Sequence, residues 1–432
     1  MPFETPAHAP KKIAVIGAGI SGMGAAHMLA DTHHVVLYEA EPRLGGHART
    51  LIAGKRGDQP VDTGFLVFNY VNYPHLVKLF EKLDVPVVES NMSFGVSIGG
   101  GALEYALNSL DTLFAQRRNL VSPKYLGMVR DIFRFNKNAL RIAQDRDLTV
   151  GQFLDVLGTG DWFRDKYLLP FSGAIWSMPI EDVMDFPAHA MIQFFENHAL
   201  LNHTGQHQWF TVQDGSIQYV NRLEAAMTAQ GVEIRLAAPI DAVKRDATGV
   251  HVKAKGGDWE LFDEVVFATH SDDSLGMLAD PSPQEQATLG AVKYQPNDVV
   301  LHCDTNIMPQ ARKVWSSWNY TEGYAKQTDR IDLTYWINSL QPIPMDDLHF
   351  VTLNSTRTIR EECIYDQTVL RHPVYDMPAL NAQKVIAKTN GTNRTWFCGA
   401  WMKNGFHEDG LSSAVDVVEA MNRAAPAAVA AQ

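Results

Sequence analysis

The sequence predicts an α/β fold in which a discontinuous domain, built on a parallel doubly wound sheet, is interleaved with a second, α+β domain. Three observations predict it. An apolar, β-branched run over 12–17 passes through Gly17-Ala18-Gly19-Ile20-Ser21-Gly22 into a helical pattern over 21–31 and a second apolar strand over 34–39. That is the β-α-β opening of a parallel sheet. The chain also closes on a strand (395–399), a loop (400–410) and a helix (411–424). Between these ends, no Pro/Gly/Ser-rich stretch marks a linker, so the 432 residues read as interleaved rather than serial domains.

The elements follow in order. Residues 13–30 form an 18-residue stretch without Asp, Glu, Lys or Arg, borderline for a membrane span, but its four glycines and His27 favour strand, turn and helix. A polar, Gly-rich loop then runs to Gly64, followed by a helix over 73–83. Residues 108–143 and 150–201 are mostly helical, and 215–230 is a further helix. Short strands are expected at 232–236, 242–244, 250–254, 264–269, 299–303, 331–337 and 350–353, and an Ala-rich tail ends the chain. The first domain is assigned 1–85, 215–285 and 385–432, and the second 86–214 and 286–384, with a helical, membrane-facing part at 108–146.

Composition narrows the class. Hydrophobic residues make up 46% and charged residues 20%, ordinary values for a globular protein. A net charge of -12 argues against a nucleic-acid partner. Cys303, Cys363 and Cys398 are widely spaced, with no C-x-x-C, which excludes a disulfide framework or zinc ribbon and suggests a reducing compartment. The first ten residues lack the basic and apolar blocks of a secretory signal.

The glycine hexad carries the first chemistry. Gly17 permits a tight turn, Gly19 lets a pyrophosphate approach the backbone, and Gly22 allows close helix–strand packing, with the anion held at the helix N-terminus. Glu39, 17 residues after Gly22, ends the next strand where a carboxylate accepts from ribose hydroxyls. A dinucleotide ligand follows.

Further motifs specify which one. Gly45-Gly46-His47-Ala48-Arg49-Thr50 resembles the G-G-x-x-R-T element of the flavin amine-oxidase and desaturase superfamily, and Asp62-Thr63-Gly64 resembles the D-x-G element after it. Residues 263–269 resemble the returning A-T strand, and 397–400 with 405–410 resemble the C-terminal flavin motif. The resemblance implies a Rossmann-like, amine-oxidase-like fold and noncovalent FAD. It places the cofactor against Gly17, Gly19, Ile20, Ser21, Gly22, Glu39, Ala40, Gly45, Gly46, Thr63, Gly64, Phe65, Thr269 and Gly399. It further implies that Arg49 supplies a phosphate cation, Val243 a backbone contact to adenine, and His407, Glu408 and Asp409 the ribityl-pyrophosphate neighbourhood. A helix from Leu411 would aim its N-terminus at the flavin.

Asp62-Thr63-Gly64-Phe65 with Phe68-Asn69, Gly215-Ser216 with Tyr219-Val220, and Phe406 to Gly410 are similar to one bacterial group. Its members are FAD-binding proteins associated with cyclopropane-fatty-acid-synthase-like methyltransferases, and the group includes the flavin-dependent desaturase of furan fatty acid biosynthesis. The resemblance implies desaturation of a methylated unsaturated phospholipid acyl chain to a conjugated diene, with hydride transfer to flavin N5. A flavin amine oxidase is the first alternative, and a redox-silent FAD-binding scaffold is the second. Neither a facing pair of tyrosines nor a clear lysine near N5 is evident, although Lys293 and Lys403 are candidates.

An acyl chain needs an apolar tunnel, for which residues 171–178 and 191–195 are candidates, equally readable as plain helix core. His407 reads as a base or as a loop-orienting histidine, and Tyr320 is a second catalytic candidate. No metal is expected, since His198, His203 and His207 have loose spacing. Residues 115–146 hold eight basic against two acidic side chains, and Arg130, Arg134, Lys137 and Arg141 form one helical stripe. Such a helix suits an anionic membrane surface or a solvated face, and the expected location is cytoplasmic, peripheral to the inner membrane face.

Overall fold

The computed structural model describes residues 9–176, 183–201, 207–324 and 331–424. Its organising element is a five-stranded parallel sheet ordered Thr395–Phe397, Glu264–Phe267, Lys12–Ile16, His34–Tyr38, Glu233–Arg235. Strands from the beginning, middle and end of the chain therefore pair side by side. Ile13, Ala14, Val15 and Val265 to Phe267 are wholly buried, as expected of a sheet covered on both faces. Helix Ile20–Leu29 packs along the C-terminal helix His407–Ala424. The uncharged run at 13–30 is thus a strand, a turn and a helix, and among the described residues no helix is long and apolar enough to cross a membrane.

The second unit is a seven-stranded sheet ordered Ile364–Val374, Lys293–His302, Phe350–Leu353, Leu333–Trp336, Trp318–Thr321, Phe94–Ile98, Leu103–Ala106. Helices Pro123–Ile142, Val150–Leu157, Leu169–Trp176 and Ala188–Asn197 accompany it.

Several elements depart from the sequence expectation. The Gly-rich loop before Gly64 contains the hairpin Thr50–Ala53/Gln59–Asp62, whose alternation is interrupted by Pro60. Phe94–Ile98 and Leu103–Ala106 pair around three left-handed glycines, Gly99 to Gly101. Strand Ile364–Val374 is half-exposed and polar, so it lacks the apolar signature of a buried strand, yet it pairs with Lys293–His302 along nearly its whole length. The C-terminal helix starts at His407 rather than Leu411.

Asp62 ties the pieces together. Its carboxylate accepts from Thr50 Oγ1 (2.5 Å), Ser216 Oγ (2.7 Å), Ser216 N (2.9 Å) and Gln341 Nε2 (3.0 Å). Hairpin, N-terminus of helix Ile217–Ala229 and second unit thus share one buried acceptor. Every partner is a donor, so Asp62→Asn would turn an NH2 toward them. The variant should lose about 2–3 kcal/mol of stability, read as a lower urea midpoint at unchanged slope. An unchanged midpoint would remove Asp62 from this role.

Candidate functional site

A cavity of about 1650 Å³ runs between the two sheets. Ordinary small-molecule pockets occupy ~300–1,000 Å³, so this one has room for a dinucleotide and a second molecule.

The cofactor end is made of backbone. Gly17 (φ +96°) turns the chain out of the first strand, and a Cβ on Gly22 would lie 1.8 Å from Gly17 O. A Cβ on Gly19 would meet no protein atom, so its open side faces the cavity. Glu39 Oε2 accepts from Ala18 N at 2.7 Å and Oε1 from Glu41 N at 2.9 Å, which pins the carboxylate over the turn. The second glycine pair lies across the first: Gly45 N donates to Ala18 O (2.8 Å), and a Cβ on Gly46 would stand 3.0 Å from Gly19 Cα. Arg43 holds that loop by donating to Gly46 O (2.9 Å) and Ala48 O (3.2 Å).

Of the residues expected at the cofactor, Gly17, Gly19, Ile20, Ser21, Glu39, Ala40, Gly45, Gly46, Thr63, Gly64, Phe65, Thr269, Gly399 and His407 line the cavity. Gly22 lies behind the turn.

The others lie off the cavity wall. Arg49 forms a two-pronged ion pair with Asp366 (2.8 and 3.2 Å) instead of facing the cavity. Val243 is wholly buried, its carbonyl accepting from Ala279 N, while Ala238, Pro239 and Ile240 form the wall instead. Glu408 caps helix Pro74–Lys82 by accepting from His75 N and Leu76 N, both at 2.9 Å. Asp409 accepts from Phe406 N (2.9 Å), and Leu411 packs beside Gly24. Tyr320 donates to Glu322 (2.9 Å) outside the cavity, so it is not a catalytic group there. Neither Lys293 nor Lys403 reaches the wall, and Lys403 pairs with Asp416 (2.9 Å).

The wall also holds residues the sequence reading passed over. His47, His270 and His372 cluster with ring centroids 5.7–6.0 Å apart around His47. Burial pushes His270 and His372 down to about 3 and lowers His47, whose Nε2 has no partner in the described structure. A buried nitrogen without a partner beside the glycine cradle suits a polar ligand in that space. His47 sits inside the G-G-x-x-R-T element, which was the available signal; His372 lies on the unrecognised strand Ile364–Val374.

Beyond the cradle, His407 stacks on Phe65 (centroids 4.0 Å apart, 14°) and its Nε2 lies 2.6 Å from Tyr219 Oη. Burial, reinforced by His47, pushes its pKa down to about 3, so the imidazole stays neutral and resists protonation. Phe406 continues the wall by stacking on Phe194 (4.9 Å), which stacks on His198 (3.9 Å). Tyr167, Phe171 and Phe94 form another aromatic run. The two expected tunnel segments thus divide: Phe171, Ile175, Trp176 and Phe194 line the cavity, whereas Met191, Ile192 and Phe195 are core. Ser177 and Met178 lie outside the described residues.

Charge on the wall is uneven. Glu39, Glu41, Asp272, Asp273 and Arg371 belong to the cradle and histidine-cluster half, and among the described residues the aromatic half has none. His270, Asp272 and Asp273 bring their ligand atoms within 4.8 Å of one another, but Arg371 already bridges the two aspartates at 2.6 and 2.5 Å. His198 and His207 bind backbone carbonyls of Phe194 and Asn197, and His203 lies outside the described residues.

A parallel sheet from three chain segments, a glycine cradle at its strand ends and a pinned acidic residue define an FAD-binding oxidoreductase. The match to the family "Flavin containing amine oxidoreductase" extends over residues 20–328, and the chain belongs to that family. Among solved structures, a putative protoporphyrinogen oxidase from Exiguobacterium sp. 255-15 superposes with a TM-score of 0.71 at 19% identity, covering 96% of this chain and 99% of the other. A putrescine oxidase variant gives 0.69 at 16% identity over 96% and 99%. A fatty acid isomerase from P. acnes gives 0.67 at 14% identity over 95% and 98%. At these identities the likeness is one of fold. L-amino acid oxidases match only locally. That of Cerastes cerastes is 50% identical over 42 residues, 10% of this chain and 8% of that protein.

Proposed function

We propose that this flavoprotein desaturates the acyl chain of a phospholipid, a methylated unsaturated chain, to a conjugated diene. The observation that carries the reading is the uncharged, aromatic-lined half of the cavity beyond Phe65 and His407, which suits an apolar chain and offers no carboxylate to a cationic amine. Removing two hydrogens from the chain oxidises it by two electrons, and FAD, when bound, supplies a two-electron acceptor. The protein orients the chain between aromatic walls and excludes water. His407, neutral, facing the cavity and bonded to Tyr219, keeps the wall beside the reacting carbons uncharged, and the released proton would leave with the two electrons on the reduced FAD.

The test incubates flavin-loaded protein with methylated-lipid liposomes. The expected product is two hydrogens lighter by mass spectrometry and absorbs as a conjugated diene. Peroxide release with putrescine or aromatic amines, and no diene, would move the assignment to amine oxidation, which the family description favours. A bound flavin reduced by neither lipid nor amine would leave a redox-silent scaffold.

A further inference from the structure

Helix Pro123–Ile142 buries Tyr125, Met128, Ile132, Phe135, Ala139 and Ile142, so its core-facing side is already complete. Its other side is apolar as well. Leu126, Phe133 and Leu140 recur every seventh residue, two helical turns apart, and are 42%, 54% and 44% exposed. Arg130, Arg134, Lys137 and Arg141 form a parallel, exposed ridge beside them. The turns just before add Leu110 and Val121, 74% and 81% exposed. The acidic Asp131 is buried and pairs with Arg130 (2.9 Å) while accepting from Gly160 N (2.9 Å), so the outward charge of the ridge is carried by Arg134, Lys137 and Arg141.

This face is also where the cavity ends. Val129, Ile132, Phe133 and Asn136 line it from the helix, and Leu110 lines it from the preceding turn. Leu110 and Phe133 are thus both cavity wall and exposed surface, which makes them the rim of a mouth. An exposed apolar rim beside a row of cations, on a chain of net charge -12, is complementary to an anionic surface with an apolar interior.

We infer that this face seats on an anionic phospholipid bilayer. Leu126, Phe133 and Leu140 enter the acyl boundary, Arg134, Lys137 and Arg141 meet headgroup phosphates, and the mouth opens onto lipid. The remaining acidic surface is repelled, which fixes the orientation. The use of such docking rests on the acyl-chain reading above; the docking itself does not.

The test is co-sedimentation of flavin-loaded protein with vesicles of phosphatidylcholine alone or equimolar with phosphatidylglycerol. Binding is expected to the mixed vesicles only and to weaken with salt. Leu126→Asp/Leu140→Asp and Arg134→Glu/Lys137→Glu should each lower the partition coefficient at least about tenfold, at wild-type flavin content and melting temperature. Equal binding by variants and wild type, or no preference for the mixed vesicles, overturns the proposal. So does a wild-type dimer that disappears in the same variants without vesicle binding, which would give the face to a second copy of the chain. Protein that binds vesicles yet yields no diene refutes the acyl reading and leaves docking standing. Diene formed from detergent-dispersed lipid by protein that ignores vesicles does the reverse.

Discussion

A Gly22→Ala variant should purify largely without flavin, whereas Gly19→Ala should fold normally and still bind flavin more weakly. The two glycines sit three residues apart in one turn but meet different surroundings. On Gly22 the added Cβ would stand 1.8 Å from Gly17 O, 2.9 Å from Gly17 C and 3.1 Å from Ala268 Cβ, all atoms of the two central strands' ends. No flexible side chain is there to yield. Helix Ile20–Leu29 must retreat from the sheet, carrying with it the amides that face the cavity. Overpacking of this kind costs about 1–3 kcal/mol, so both melting temperature and flavin retention should fall.

Gly19 has φ -72°, which alanine adopts freely, and its Cβ would touch no protein atom. Stability of the flavin-free protein should therefore stay within about 0.5 kcal/mol of wild type. The methyl group projects into the cavity, so a dissociation constant at least about tenfold weaker, measured by flavin fluorescence, is expected. Equal flavin affinity in Gly19→Ala would show that the cofactor does not approach this turn. Normal flavin content in Gly22→Ala would show that the helix–strand contact is softer than its geometry implies.

These glycines also show which parts of the protein were legible in the sequence. A turn that needs φ > 0 or a missing Cβ can be met only by glycine, so backbone requirements are written directly in residue identity. The cradle residues were readable for that reason. Side-chain roles were not, because they depend on partners remote in sequence. Arg49 sits in the expected motif but faces Asp366, 317 residues away, and Glu408 faces the N-terminus of helix Pro74–Lys82, 333 residues from His75. Neither partner is announced by local pattern. Strand Ile364–Val374 escaped because half-exposed strands need no apolar alternation. With it went His372, one member of the histidine cluster. Tyr320 had only its residue type to recommend it, and its hydroxyl turns to Glu322.

The histidine wall sets the second large expectation, which concerns acid. His270, His372 and His407 are pushed down to about 3, and His198 to about 4, in each case chiefly by burial. In the unfolded chain each titrates near 6.5. As pH falls below about 6.5 the unfolded state therefore takes up protons that the native wall refuses. The stabilisation is complete above that value and is lost progressively toward pH 3–4. Burial also pushes the Asp62 and Asp409 carboxyls up to about 6, and these act oppositely, since the native state then takes up protons before the unfolded one. With His302, which burial likewise pushes down to about 4, five refused protons against two accepted leave about three, or ~4 kcal/mol per pH unit between pH 6 and 4. Against a typical net stability of ~5–15 kcal/mol, that predicts cooperative acid unfolding within this window rather than near pH 3. Urea titrations at pH 7.0, 6.0 and 5.0 measure the slope. His372→Gln keeps an acceptor for Asn297 and should flatten the slope by about one proton, ~1.4 kcal/mol per pH unit. A slope indistinguishable from zero in the wild type, or unchanged in the variant, would mean that the wall histidines titrate as they do in water. His407 would then be charged below about pH 6.5 and would put a cation into the uncharged half of the cavity.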